Sequence, residues 1–209
     1  MARFHQPMSI NEVISVNDLQ QPIVFVIDMV NGFVKEGVLH DKAIQTIIPS
    51  IQKMLEKLQC RTIFVADSHP PMAKEFQAFP PHCMIGTSES EIVDELKKYV
   101  HEVICKNSTN TFLAPDFQTF LKERMNDYQD VILCGCCSDI CVMQFALCLQ
   151  AYIHEHNLSQ RVIVCTDLME TYHIEHVHDA YEYNRIAVEL MKASGVLVIS
   201  NIVGGDLSC

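Results

Sequence analysis

Six short apolar runs punctuate the chain: 23–28, 62–67, 100–106, 130–135, 161–167 and 196–200. The first, IVFVID, is continuous rather than alternating, the pattern of a strand buried on both faces of a parallel sheet. Between the runs, apolar residues recur at helical spacing. The segment 41–58 carries Ile44, Ile47, Ile48, Ile51, Leu55 and Leu58, and Pro49 predicts that regular helix begins only near that residue, after a looser turn. Ser88 and Glu91 form a capping box for a helix through Ile92, Val93, Leu96 and Tyr99. Pro115 opens a helix through Phe117, Phe120, Leu121 and Met125, and further helices are predicted from Ile140 to about His154 and from about Glu175 to Ala193. Strands that alternate with helices in this way predict an α/β fold, a three-layer α/β/α sandwich on a six-stranded parallel sheet with right-handed crossovers.

In such sheets ligands bind outside the carboxyl ends of the strands, near the switch point of strand order. Asp28, Asp67, Lys106 and the turn from Cys137 to Cys141 each end a different strand, so they converge on one face. A strand order of 3-2-1-4-5-6 would set Asp28 beside Cys141. Taken singly, a carboxylate that ends a buried strand is more often a helix cap or loop anchor than a catalyst.

The stretch DVILCGCCSDICVMQ (130–144) reads as a strand, a tight turn and a helix start. With Ser138 as N-cap, Cys141 falls at the third helical position, where unpaired N–H groups and the macrodipole are expected to lower a thiol pKa. Two other readings use the same residues. Cys134 and Cys137 form a C-x-x-C that could be a redox pair, and the cysteines could be half of a zinc site, although no second pair follows at finger-like spacing. His173, His176 and His178 are ligand types too, for which a surface or pocket-rim role is expected.

A loop of about twenty residues, DSHPPMAKEFQAFPPHCMIGT, follows the second strand, and a connection that long is usually functional or disordered. Its ligand-type and aromatic residues favour function. Residues 1–21 read as an extension lying on the domain, 22–203 as one domain, and 204–209 as a flexible tail with Cys209 exposed. A chain of 209 residues with 49% hydrophobic positions suits one full-sized domain. The net charge of −11 argues against nucleic acid or an anionic membrane as partner and points to a small molecule. No run reaches transmembrane length, the N-terminus lacks a signal-peptide pattern, and the ten cysteines lie mostly in apolar runs, so a cytoplasmic protein with reduced thiols is expected.

Taken together, IDMVNGFVKEGVL, ICKNSTNTF and GCCSDICV resemble the motifs of the isochorismatase-like cysteine hydrolases over residues 22–203. The resemblance implies a triad of Asp28, Lys106 and Cys141, an oxyanion hole from the backbone N–H groups of Cys137 and Cys141, and a cis peptide at Cys136–Cys137. ADSHPP followed by FPPHCMIGT is similar to the nicotinamidase branch, in which an Asp-x-His and a later His bind a divalent metal, here Asp67, His69 and His82. Many members of that branch add a His where this chain has Ala73; others use a Glu seven residues before the final His, which Glu75 matches. The implied cofactor is one divalent ion per chain, zinc first, with iron or manganese as alternatives. Phe33 and Phe79 are candidates for packing on the substrate ring.

The first motif departs from the family pattern, since Val30 replaces a Gln and Gly32 an Asp, which bears on the substrate more than on the reaction. The implied activity is hydrolysis of nicotinamide to nicotinate and ammonia in a homo-oligomer. The alternatives are hydrolysis of another small amide, a thiol redox or sensor protein using Cys134, Cys137 and Cys141, and a non-catalytic binding scaffold.

Overall fold

The computed structural model describes residues 12–205; the expectations for residues 1–11 and for Cys209 lie outside the described residues. A short strand β1 (Val13–Ser15) pairs in parallel with the last strand, β8 (Asn201–Val203). Between them, among the described residues, six strands form one parallel sheet: β2 (Pro22–Ile27), β3 (Arg61–Asp67), β4 (Glu102–Lys106), β5 (Asp130–Gly135), β6 (Arg161–Met169) and β7 (Leu197–Ile199). Their order is β4-β3-β2-β5-β6-β7, the 3-2-1-4-5-6 arrangement. The switch point therefore falls between β2 and β5.

The helices are α1 (Asn31–Val34), α2 (Lys42–Gln45), α3 (Ile48–Leu58), α4 (Pro115–Glu123), α5 (Met143–Glu155) and α6 (Ala180–Ala193). On one face of the sheet α3 covers Val24, Val26, Phe64, Ile132 and Ile163. On the other, α4, α5 and α6 cover Ile23, Phe25, Val65, Leu133 and Val164. Alternate residues of β2, β3, β5 and β6 thus face two different dry layers, which is why those runs read as continuous. Each such fully buried side chain contributes roughly 1.5–3 kcal/mol. Phe25 anchors the second layer through edge-on contacts with Phe117, Phe120 and Phe145.

Pro49 acts as expected: a short turn at α2 precedes α3, whose first turn holds the proline where its missing N–H costs nothing. The capping box at Ser88 does not form a helix. Ile92 bridges to Val30, Asn31 N–H donates to the Glu91 carbonyl and Val93 N–H donates to the Met29 carbonyl. Those backbone groups are committed across the chain, leaving only short 3₁₀ turns at Ser88–Ser90 and Lys97–Tyr99. The last helix also starts later than expected, at Ala180, because the Asp179 side chain accepts from Tyr181 N–H and caps it there. No helix among the described residues is long and apolar enough to cross a membrane.

Candidate active site

Asp28, Asp67, Lys106 and the 136–141 turn meet at the carboxyl ends of β2, β3, β4 and β5. The junction between β2 and β5 depends on Gly135. Its φ of +113° is in the left-handed half of conformational space, and a Cβ there would lie 2.0 Å from the Ile27 carbonyl oxygen, which accepts from Cys136 N–H at 2.9 Å. The Cys136–Cys137 peptide is cis.

The expected cap is displaced by one residue. Cys137 occupies the N-cap position of a π turn, Ser138–Val142, and its carbonyl accepts from Ile140 and Val142 N–H at 3.1 Å each. Ser138 instead donates through Oγ to Asn184 of α6 and through N–H to the Glu170 carbonyl at 3.1 Å. Cys141 lies in this turn with 3% of its surface exposed.

Lys106 Nζ lies 2.8 Å from Asp28 Oδ2 and 3.7 Å from Cys141 Sγ, and also bonds Asp67 Oδ1. Carboxylate oxygens of Asp28 and Asp67 and the Cys141 sulfur all fall within 4.8 Å of one another. One buried cation thus serves two carboxylates and a thiol. Burial pushes the Asp28 carboxyl up to about 7, with the Asp67 charge adding to the rise and Lys106 opposing it. Burial also disfavours ionised Asp67, yet Lys106, His69 and His82 hold it well below the usual carboxylate range. Burial would lower Lys106, but Asp28 and Asp67 keep it well above its ordinary value.

The expected lowering of the Cys141 pKa is corrected. Burial pushes the thiol well above its ordinary value and the two carboxylates add to this, outweighing the opposing charge of Lys106. A helix-start position favours a thiolate only where solvent or cations outnumber nearby anions.

On the opposite wall, ligand atoms of Asp67, His69, Glu75 and His82 also fall within 4.8 Å of one another. His69 Nε2 is 3.6 Å from Asp67 Oδ1 and 3.8 Å from Glu75 Oε1; His82 Nε2 is 3.7 Å from Asp67 Oδ2. These separations exceed hydrogen-bonding range. His82 Nδ1 donates to the Pro80 carbonyl at 2.8 Å and His69 Nδ1 faces Asn107 Oδ1 at 3.0 Å. Nδ1 of each ring is thus engaged, and Nε2 of each turns toward the carboxylates. His69 Nε2 is buried with no hydrogen-bond partner among the described residues. Two imidazole nitrogens and two carboxylates converging within 4.8 Å, beyond direct hydrogen-bonding range of one another, form a donor set that fits a divalent metal.

The cleft between these walls is lined by Phe33, Phe79, Leu39, Thr109, Ile140 and Tyr172 besides Asp67, Glu75, His82, Cys137 and Cys141. Phe33 and Phe79 therefore both reach it. Val30 does not line it but is fully buried, bridged to Ile92. The lining by Leu39, Thr109 and Tyr172 has no local signature; Asn107, which orients His69, directly follows the lysine of ICKNSTNTF. Cys134 packs on the face opposite Cys141, and its thiol donates to the Phe25 carbonyl at 3.7 Å, away from the cleft. His176 is exposed, but His178 is buried, paired with Asp139 at 2.8 Å, which corrects its expected surface or rim role.

Comparison with known proteins agrees with this architecture. The chain is 29% identical over 170 residues to Nicotinamidase 1 of Arabidopsis thaliana, a match covering 71% of this chain and 66% of that protein, short of two thirds of its length. Its fold is similar to that of PnC1 from L. infantum in complex with nicotinate, with a TM-score of 0.74 and 19% identity over 92% of this chain and 98% of that one. It is also similar to the pyrazinamidase of Pyrococcus horikoshii in complex with zinc, with a TM-score of 0.68 and 23% identity over 86% and 99%. The family model of the isochorismatase domain matches residues 22–200, from the first strand of the main sheet to just past its last, and the chain belongs to that family.

Proposed function

We propose that the protein is a metal-assisted cysteine amidohydrolase that converts nicotinamide to nicotinate and ammonia. The observation that carries this reading is the meeting, around one cleft with aromatic walls, of the Asp28, Lys106 and Cys141 cluster with the four ligand-type groups that share Asp67 with it. The similarity to a nicotinamidase and, in fold, to a nicotinate complex and a zinc-bound pyrazinamidase supports a pyridine-type amide and zinc as the first metal to test.

Asp28, its carboxyl raised to about 7, is matched to a base working near neutrality. It takes the proton of the Cys141 thiol as the sulfur attacks the amide carbon, and Lys106 offsets the charge that remains. This transfer keeps the anion inside the cluster, so a high resting thiol pKa is compatible with nucleophilic attack. The backbone N–H groups of Cys137 and Cys141 receive the oxyanion, a pair that contributes on the order of 3 kcal/mol per donor. Asp28 returns its proton to the departing nitrogen, the C–N bond breaks, and ammonia leaves a thioester on Cys141. Water, losing a proton to Asp28, then attacks the thioester carbon; nicotinate leaves and the thiol is restored. A divalent ion held by Asp67, His69, Glu75 and His82 would supply a Lewis-acid anchor for the pyridine nitrogen. Phe33 and Phe79 pack against the ring.

The test is ammonia release from nicotinamide by purified protein, with and without a chelator, beside Cys141→Ala. Turnover that requires both metal and Cys141 is expected. Metal-loaded protein that releases ammonia only from other small amides would move the substrate while keeping the chemistry, and absence of release from any amide would sink the reading.

A further inference from the structure

A second buried cluster lies behind the cleft and is not used by the chemistry above. His178, 7% exposed, directs Nδ1 at the Tyr172 carbonyl and Nε2 at Asp139 Oδ2, each at 2.8 Å. Its ring is stacked between two tyrosines, with centroids 4.3 Å from Tyr172 at 25° and 4.0 Å from Tyr183 at 21°. Both ring nitrogens are thus engaged by oxygen atoms, one on each side of the ring, while the tyrosines hold its two faces. The other oxygen of Asp139, Oδ1, is buried without a hydrogen-bond partner among the described residues.

The two partners lead to different parts of the site. Tyr172 lines the cleft, whereas Asp139 belongs to the π turn that carries Cys141. Elsewhere the turn is held to α6 by Ser138 and Asn184, which makes His178 a second, independent tie on the same few residues.

We propose that His178 is a positioning residue that locks the Tyr172 wall of the cleft to the Cys141 turn through Asp139. This deepens the amidohydrolase reading and rests on it for the kinetic arm of its test. The hydrogen bond to Asp139 fixes the turn, and the stack fixes the wall. Small misplacements of a nucleophile can cost up to about 100-fold in rate, whereas a loosened apolar wall acts mainly on substrate affinity.

Two substitutions separate these contributions. His178→Phe keeps a flat ring between the tyrosines but removes both hydrogen bonds; His178→Gln keeps a polar reach toward Asp139 but removes the stack. For nicotinamide hydrolysis, His178→Phe is expected to lower kcat by about tenfold or more with KM within about twofold, and His178→Gln to raise KM with a smaller loss in kcat. Asp139→Asn, which keeps the shape of the turn, should lower kcat in the same direction as His178→Phe. A second readout does not need turnover: the iodoacetamide alkylation rate of Cys141, followed by mass spectrometry of its peptide, should change in His178→Phe and Asp139→Asn and not in His178→Gln.

If kcat and KM move in parallel in all three variants, or alkylation of Cys141 is unchanged in His178→Phe and Asp139→Asn, the proposal is overturned. If the wild type hydrolyses no nicotinamide, the substrate assignment fails, and the alkylation pattern alone decides whether His178 positions the turn.

Discussion

On one wall of the cleft the polar groups are fixed by the ends of strands. Asp28 follows β2, Lys106 ends β4, and Cys141 sits in the π turn after β5, in a register set by hydrogen-bonded neighbours such as Ile27 and Gly135. On the other wall, His69, Glu75 and His82 are carried by the irregular loop after β3 and are held by single side-chain bonds: His82 to the Pro80 carbonyl, His69 to Asn107, and Glu75 accepting from Thr109 N–H at 3.0 Å. Asp67 alone belongs to both walls. Position on the first wall is over-determined by the sheet, whereas on the second it depends on a few outer bonds and the cation they would surround. The two walls should therefore fail separately.

The sharpest break is Cys141→Ala. Ammonia release is expected to fall by at least about 10⁴-fold, as for loss of a nucleophile, while metal content measured on the purified protein stays at one ion per chain. Loss of metal along with activity would mean that the walls are not independent. Lys106→Met should damage both walls, since it strips two buried carboxylates of their cation; urea unfolding is expected to show a loss of about 3–5 kcal/mol.

On the loop wall, Asn107→Ala leaves every ligand in place but frees the His69 ring. Metal affinity should weaken by about 10–100-fold, with the Cys141 alkylation rate unchanged. His82→Ala should cost more, because a ligand itself is gone, and should weaken substrate binding.

A proton titration sharpens the link through Asp67. In metal-free protein the Asp28 carboxyl should titrate near pH 7 by carbon NMR, being protonated below that value and ionised above it. A cation bound at Asp67 cancels the like-charge repulsion that helps raise Asp28, so metal loading should shift this midpoint downward, and with it the acid limb of kcat/KM. A midpoint that ignores metal would uncouple the two walls. The smallest effect is expected for Cys137→Ala. Its contribution is a backbone N–H, so turnover should stay within about twofold of wild type; damage equal to that of Cys141→Ala would favour the thiol redox reading.

The difference between the walls also sorts what could be read before the fold was seen. Asp28, Lys106 and Cys141 were legible because apolar runs end at them or just before them, and parallel topology sends every strand end to one face. The late helix start at Pro49 was legible for the same local reason, whereas the strand order entered only as the condition for bringing Asp28 beside Cys141 and was supplied by the fold. Ser88 misled because a capping box states what a segment can do alone, whereas Val30 and its neighbours took those backbone groups first. Glu75 was reached through resemblance, and its approach to His69 depends on how the loop folds back, which no spacing within it reveals.

By itself the sequence determined the sheet, the side on which the site would form, and the residue types available there, because periodicity and strand length are local properties. The tertiary structure decided the states of those residues. Whether Cys141 is an easy or a difficult thiolate, whether His178 faces water or two tyrosines, and whether four ligand groups share one space all depend on desolvation and on partners far apart in the chain. Those energies belong to the surroundings of a side chain, and the surroundings exist only once the chain has folded.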